Sequence, residues 1–348
     1  MEKDFALTCP VPIADRKNIV LGHGSGGRLT AQLIHDVFLP AFDNEILRRM
    51  DDQAMLRIGG ARIAFTTDSF VVTPLFFPGG DIGRLAVNGT VNDLAMSGAR
   101  PLYLSASFII EEGFALEDLC RITQSMAEAA RDAGVMVVTG DTKVVNRGSA
   151  DKLFINTSGV GLAPDGIEIS SVKARPGDAI LLSGTIGDHG MAVFSKREGL
   201  EFEGSILSDT AALYSLVECM LQAGQIHTLR DPTRGGLGTS LCEIAAAASV
   251  GIELDASSVP VREDVKAACE ILGLDSLFVA NEGKLVAFVD PASADAVLRA
   301  MRLHPHGRDA ARIGYATSSH AGMVLLKTEV GGTRLIDLPF TEQLPRIC

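Results

Sequence analysis

The sequence predicts an α/β (α+β) protein of two domains, on three observations. Period-two strand patterns alternate with period-3.6 helix patterns along the chain. The cycle restarts after a Pro- and Gly-bearing stretch at 164–178. The 348 residues, 47% of them hydrophobic, suffice for two cores.

The elements run in order along the chain. ARIAFTTD (61–68) reads as a strand ending on an aspartate, and 81–99 as a helix with Asp81 as N-cap and Gly98 near its end. LYLSASFII (102–110) is a strand, 116–134 a helix stopped by Gly134, and 135–141 and 152–162 are strands again. After the loop, AILLSGTIGDHGMAVF gives a strand, a Gly-rich turn and a helix. Helices at 209–223, 237–250 and 263–272 come next, then strands in KLVAFV, GMVLLKT and TRLIDLP. The expected divisions are an N-terminal segment with a Gly-rich loop (1–36), a first domain (37–165), a second domain (166–337) and a tail (338–348). The tail, LPFTEQLPRIC, has two prolines and no period, so it reads as a mobile arm reaching about 35 Å when extended. Its last residue, Cys348, is a thiol that no core requires.

A net charge of −12 repels phosphate backbones and anionic membranes, which argues against nucleic-acid or membrane binding. The N-terminus lacks the apolar run of a signal peptide, and no stretch approaches the ~20 apolar residues of a membrane helix. Six scattered cysteines (Cys9, Cys120, Cys219, Cys242, Cys269, Cys348) form no CxxC pair, which favours a reducing cytoplasm over a disulfide or zinc framework.

Several polar residues ask for a chemical explanation. Asp93 falls within the stripe of Ile82, Leu85, Ala86, Gly89 and Met96, where a carboxylate must be paired, protonated or bound to a cation. Gly89, one turn earlier, permits a close approach to the backbone. Asp68 and Asp141 end strands at their carboxyl ends, where α/β sheets place ligands, although each also reads as a turn residue. Three such carboxylates suit Mg²⁺ with a nucleotide. Lys143 shares the strand face of Asp141. LGHGSGGRL (21–29) and DPTRGGLG (231–238), the latter holding Asp231 and Arg234, are Gly-rich loops ahead of helices that bare amides to phosphate. Glu282 stands close to Lys284 just before a strand. His189, in a strand-to-helix turn, reads as structural.

Together LGHGSGGRL, TTDSF, AVNGTVNDLAMSGARP, GDTKVV, RDPTRGGL, NEGK and the terminal PRIC resemble the HypE family of hydrogenase maturation factors. That family lies in the ATP-binding superfamily of aminoimidazole ribonucleotide synthetase, thiamine monophosphate kinase and selenophosphate synthetase. The internal motifs fit several of its members; PRIC is particular to HypE. The resemblance implies an aminoimidazole ribonucleotide synthetase-like (PurM-like) fold, ATP and Mg²⁺ in the cleft between domains, and a homodimer through the first domain. It implies that a carbamoyltransferase, HypF, loads a carbamoyl group onto Cys348, that ATP drives its dehydration to a thiocyanate, and that cyanide passes to iron on a HypC–HypD scaffold for [NiFe] hydrogenase. Nucleotide contacts are implied for Gly24, Gly26, Gly27, Asp68, Asn92, Asp93, Gly140, Asp141 and Asp231, with Asp68, Asp93 and Asp141 at the metal. Cys348, Lys143 and Glu282 would be catalytic, Glu282 as the proton acceptor. The terminal α-carboxylate should raise the Cys348 thiol pKa, with Arg346 offsetting it. Two other readings are a relative acting on a free small molecule and a non-catalytic adaptor whose arm docks a partner.

Overall fold

The computed structural model describes residues 18–24, 26–200, 206–340, 344 and 346–348. Of the expected N-terminal segment, 1–17 therefore lie outside the described residues. The chain beyond the Gly-rich loop is helical: α1 (Arg28–Leu33) runs through a π turn into α2 (Leu39–Phe42).

The first unit is a five-stranded sheet with helices on one face. Its strands are β1 (Ala54–Ile58), β2 (Ala61–Phe70), β5 (Arg100–Glu111), β6 (Met136–Val145) and β7 (Leu153–Leu162), in the order β1-β2-β7-β5-β6. A short pair, β3 (Phe76–Phe77) and β4 (Gly80–Asp81), leads into helix α3 (Ile82–Ala95). The Asp81 carboxylate accepts from Gly83 and Arg84 N–H at 2.7 and 3.1 Å, so it caps α3 as expected. Helix α4 (Leu116–Asp132) buries Ile122, Met126, Ala129 and Ala130, the single stripe of a surface helix. Helix α3 differs, because it is buried nearly all round, with the sheet on one side and the second unit on the other.

Strand alternation sorts the sheet into two faces. Ala64, Thr66 and Phe70 of β2 are buried under α3, while Phe65, Thr67 and Ser69 face the opposite way. Cross-strand pairing extends that open face as rows: Phe65–Val160–Tyr103–Met136, then Thr67–Ser158–Ser105–Thr139, then Ser69–Asn156–Ser107–Asp141. The open face is thus apolar at one end and polar through its middle, and beyond the polar rows Phe154 and Ile109 align with Lys143.

The second unit begins with β8 (Ala179–Leu182) and α5 (Asp188–Glu198). It continues through α6 (Tyr214–Ala223), β9 (Ile226–Arg230), α7 (Gly236–Ala248), β10 (Gly251–Asp255), α8 (Glu263–Leu272), β11 (Val286–Val289) and α9 (Ala294–Leu303). It closes with β12 (Ala311–Thr317), β13 (Val324–Lys327) and β14 (Thr333–Ile336). The sheet is seven-stranded, β14-β13-β10-β12-β8-β11-β9. Ile180 and Leu182 pack with Leu237, Leu241 and Ile244 of α7, whereas Ala179 and Leu181 pack with Leu216 and Met220 of α6 and Val297 and Met301 of α9. Burial on both faces explains why AILL is apolar without alternation.

Asn92 joins the units. Its Nδ2 donates to the Ala211 and Glu282 carbonyls at 3.0 and 3.3 Å, and its Oδ1 accepts from Leu213 N–H at 2.8 Å. No helix among the described residues is long and apolar enough to cross a membrane.

The end of the tail corrects an expectation. Leu344, Ile347 and Cys348 are buried in the same core as Phe70, Val72 and Val193. Val71 N–H donates to the Cys348 carbonyl and Thr73 N–H to that of Arg346, an antiparallel pairing that continues past β2. The terminal cysteine does belong to a core, the one between the two units.

Candidate active site

A cavity of about 1010 Å³ opens between the units. Its walls come from the N-terminal helices (Thr30, Phe38), the residues just ahead of β1 (Asp51, Asp52), the open face of β2 (Phe65, Thr67) and the 230–234 loop. Gly26 stands at its rim. A Cβ there would press on Arg234 at 3.1 Å, and φ is +77°, so glycine is required. A Cβ at Gly27 would meet the Pro339 carbonyl at 2.5 Å, and Arg28 N–H donates to that same oxygen. The Gly-rich loop thus lies between Arg234 and the start of the tail. Gly24 has open space around it.

Acids cluster around Asp52 and Asp231, which line the cavity. The Thr66 hydroxyl lies 2.7 Å from Asp93 Oδ2 and 3.0 Å from the Asp52 carbonyl, and its single proton serves one of them at a time. Burial, then Asp231, Asp52 and Asp68, push the Asp93 carboxyl well above its ordinary range. Burial pushes Asp52 up against the pull of Arg230, whose Nε lies 3.0 Å away. Asp68 is raised by burial and held back by Arg234. Asp231 is raised to about 6, mainly by burial. Glu282 is pushed well above the usual value by burial, then Asp231, Asp68 and Asp209, and its buried Oε1 has no hydrogen-bond partner among the described residues. Acids that raise one another's pKa create a demand for a cation.

The Cys348 thiol reaches this acid group. Arg234 Nη2 donates to its Sγ at 3.6 Å. Burial raises its pKa to about 12, with Glu282 and Asp68 adding and Arg234 opposing. The cation that offsets the thiol is therefore Arg234. Arg346, expected in that role, instead pairs with Asp151 at 2.6 Å and donates to the Val71 carbonyl. Three carbonyls of the tail are held: Arg346 O by Thr73 N–H and Arg197, Ile347 O by His189, and Cys348 O by Val71 N–H.

Not every expected residue converges here. Asp68, Asp93, Asp231, Glu282 and Cys348 interact with one another, whereas Asp141 and Lys143 do not join them. Register explains why: Asp141 aligns with Ser107, Asn156 and Ser69, on the face opposite Asp93 and Thr66 and at the free edge strand. There Lys143 Nζ pairs with Asp141 at 2.7 Å, which holds that carboxyl below its ordinary range. The trio Asp68, Asp93 and Asp141 is thus not gathered within one chain, and no group of three or more His, Cys, Asp or Glu among the described residues could hold a metal ion by itself. Mg²⁺ needs only one or two carboxylates when phosphate and water complete its shell, so Asp52, Asp68, Asp93 and Asp231 fit such an ion. Asn92 spends its amide on the backbone of 211, 213 and 282 and so positions Glu282. Gly140 is required because a Cβ would collide with the Ala106 carbonyl. Sequence reasoning missed Asp52, Arg230 and Glu243; the acidic pair Asp51–Asp52 just ahead of a strand and the arginine before Asp231 were the available signals.

Nearly the whole chain is similar to known proteins. Residues 50–163 match the family described as AIR synthase related protein, N-terminal domain, and 175–327 its C-terminal domain. Carbamoyl dehydratase HypE of Cupriavidus necator is 59% identical over 332 residues, 95% of each chain. The chain belongs to the HypE family. Among solved structures, a HypE in complex with ATP is 51% identical with a TM-score of 0.81, covering 95% of this chain and all of that one. A HypE–HypF complex aligns with a TM-score of 0.84 at 52% identity over 88% of this chain and 99% of that one. The HypE fold therefore accounts for both units and the cleft between them.

Proposed function

We propose that the chain is an ATP-dependent carbamoyl dehydratase of hydrogenase maturation that acts on its own S-carbamoylated Cys348. The observation that carries this reading is the docked tail, which buries Sγ beside Arg234, Asp68 and Glu282. A free small-molecule substrate gives no reason for the enzyme's own terminus to occupy that place. An adaptor gives none for a base whose buried oxygen is unpartnered among the described residues.

The docked thiol, with a pKa of about 12, is a poor nucleophile, so loading by HypF belongs to an undocked tail. Once carbamoylated and docked, the carbonyl carbon is one bond beyond Sγ. ATP supplies the phosphoryl group that makes the carbonyl oxygen a leaving group. As the C–O bond breaks to phosphate and the C≡N bond forms, both N–H protons must leave. Glu282, raised in pKa and with an Oε1 that is unpartnered among the described residues, accepts one of them as the carboxylate general base, and the departing phosphate takes the other. The Arg234 guanidinium, at Sγ, counters negative charge as the oxygen departs. Asp52, Asp68, Asp93 and Asp231 would hold Mg²⁺ with the nucleotide, and the ion would supply the charge that these acids and the phosphates lack.

We further read the open face of the first sheet as a homodimer face. Phe65, Tyr103, Ile109 and Leu162 are large apolar side chains exposed there. A two-fold axis lying in that face and running along the strands would set the β6 edge of one copy over the β1–β2 edge of the other. Because Phe65 and Thr67 line the cavity, Asp141 and Lys143 then approach the nucleotide across the interface. HypC–HypD is the acceptor of the cyanide in this scheme. The described cysteines are all free thiols, in keeping with a cytoplasmic enzyme.

Two variants test the reading. Cys348→Ala should bind nucleotide and form no thiocyanate. Glu282→Gln should accumulate the carbamoylated tail and dehydrate it at least ~100-fold more slowly. Undiminished thiocyanate from either variant contradicts the assignment.

A further inference from the structure

His189 is a fully buried imidazole with no part in the dehydration chemistry itself. It lies in the first turn of α5, where its Nδ1 is 2.8 Å from Ser208 Oγ and its Nε2 is 3.0 Å from the Ile347 carbonyl. A carbonyl only accepts, so Nε2 carries the proton, and Nδ1 accepts from the Ser208 hydroxyl. Phe77 packs edge-on at 5.4 Å and fixes the ring plane. Burial lowers the imidazole pKa, in keeping with the neutral tautomer.

The same turn is tied to the general base. Gly187 N–H donates to Asn281 Oδ1 at 2.7 Å, and Gly190 N–H to the Ala280 carbonyl at 3.0 Å. Both partners directly precede Glu282. The packing is tight, since a Cβ at Gly190 would fall 2.5 Å from Val279 Cγ1. One helical turn therefore grips the tail through His189 and the Glu282 segment through its backbone. From the far end of α5, Arg197 donates to the Arg346 carbonyl.

We propose that His189 is a positioning residue of the dehydration, whose Nε2–H holds the Ile347 carbonyl and so sets the reach of the carbamoylated Cys348 toward Glu282. This rests on the dehydratase reading, and a second readout keeps the two separable. A core histidine with no such role would tolerate an apolar ring of similar volume, whereas a latch needs the donor.

The test uses full-length His189→Phe, which keeps the ring and removes the donor, and His189→Gln, which restores an N–H at a similar reach. After carbamoylation by HypF, single-turnover thiocyanate formation is followed by mass spectrometry of the C-terminal peptide. Separately, alkylation of Cys348 by iodoacetamide without ATP is read on the same peptide. The loss of one neutral hydrogen bond predicts dehydration about tenfold slower and alkylation about tenfold faster for Phe, with Gln within about threefold of wild type in both. If Phe does not fold, Ser208→Ala, which removes the hydroxyl that fixes the tautomer, should shift both rates in the same directions. Phe rates equal to wild type, or Gln no better than Phe, overturn the proposal. Wild-type protein that alkylates as predicted yet yields no thiocyanate sinks the dehydratase reading and leaves the latch standing.

Discussion

At the scale of single residues, the site is a set of acids that burial keeps from ionising freely. Asp231 shows the sign. Its folded pKa of about 6 lies above its ordinary 3.8, so its contribution to stability is full below that ordinary value and is lost as pH rises through about 6. The shift corresponds to an order of 3 kcal/mol. The nucleotide-free protein should therefore melt at lower temperature at pH 8 than at pH 5.5, and Mg²⁺–ATP should recover more stability at pH 8. Asp93→Asn should flatten both differences in a fluorimetric melt; an unchanged pH dependence in that variant would contradict the cluster. Asp93 itself was legible, because an acid among apolar helix positions is rarely accidental. Asp52 was not, because its partner Arg230 lies far away in sequence and only the fold brings them together.

At the scale of elements, α3 does the most. Its stripe predicted one buried face, yet both faces are buried, because the second unit covers what a lone α/β domain would expose. Gly89 was expected to permit a close approach to the backbone; the group that comes close is Phe70, 2.9 Å from the position of a Cβ, with Asp68 Oδ2 at 3.8 Å. Gly89→Ala should cost about 1–3 kcal/mol by overpacking and weaken nucleotide binding through Asp68, measurable by melting and by titration. Long strands and helices such as α4 and α8 were readable from period alone, whereas α9, amphipathic as it is, was missed. Short β9, β10 and β12 were not, and β12 hides its pattern at Gly314, where the Glu253 carbonyl leaves no room for a side chain. The tail was read as an arm because its prolines and lack of period are real, but three carbonyl bonds and the burial of Ile347 give its end a seat.

At the scale of the whole molecule, Asp141 and Lys143 decide whether one chain is enough. They lie on the open face, so a complete site needs a second copy if they act on the nucleotide. Tyr103→Glu, on the apolar row, should yield a monomer by light scattering with dehydration lost and the thiol of Cys348 still protected. A monomer with full activity would remove Lys143 from the chemistry. The enzyme is proposed to dehydrate its own end, and the mass of the C-terminal peptide after incubation with HypF and a carbamoyl donor, before and after ATP with Mg²⁺, tests this. A carbamoyl adduct on Cys348 that loses one water only when ATP is added is the predicted result. An adduct that stays unchanged, or a loss of water without ATP, would contradict it.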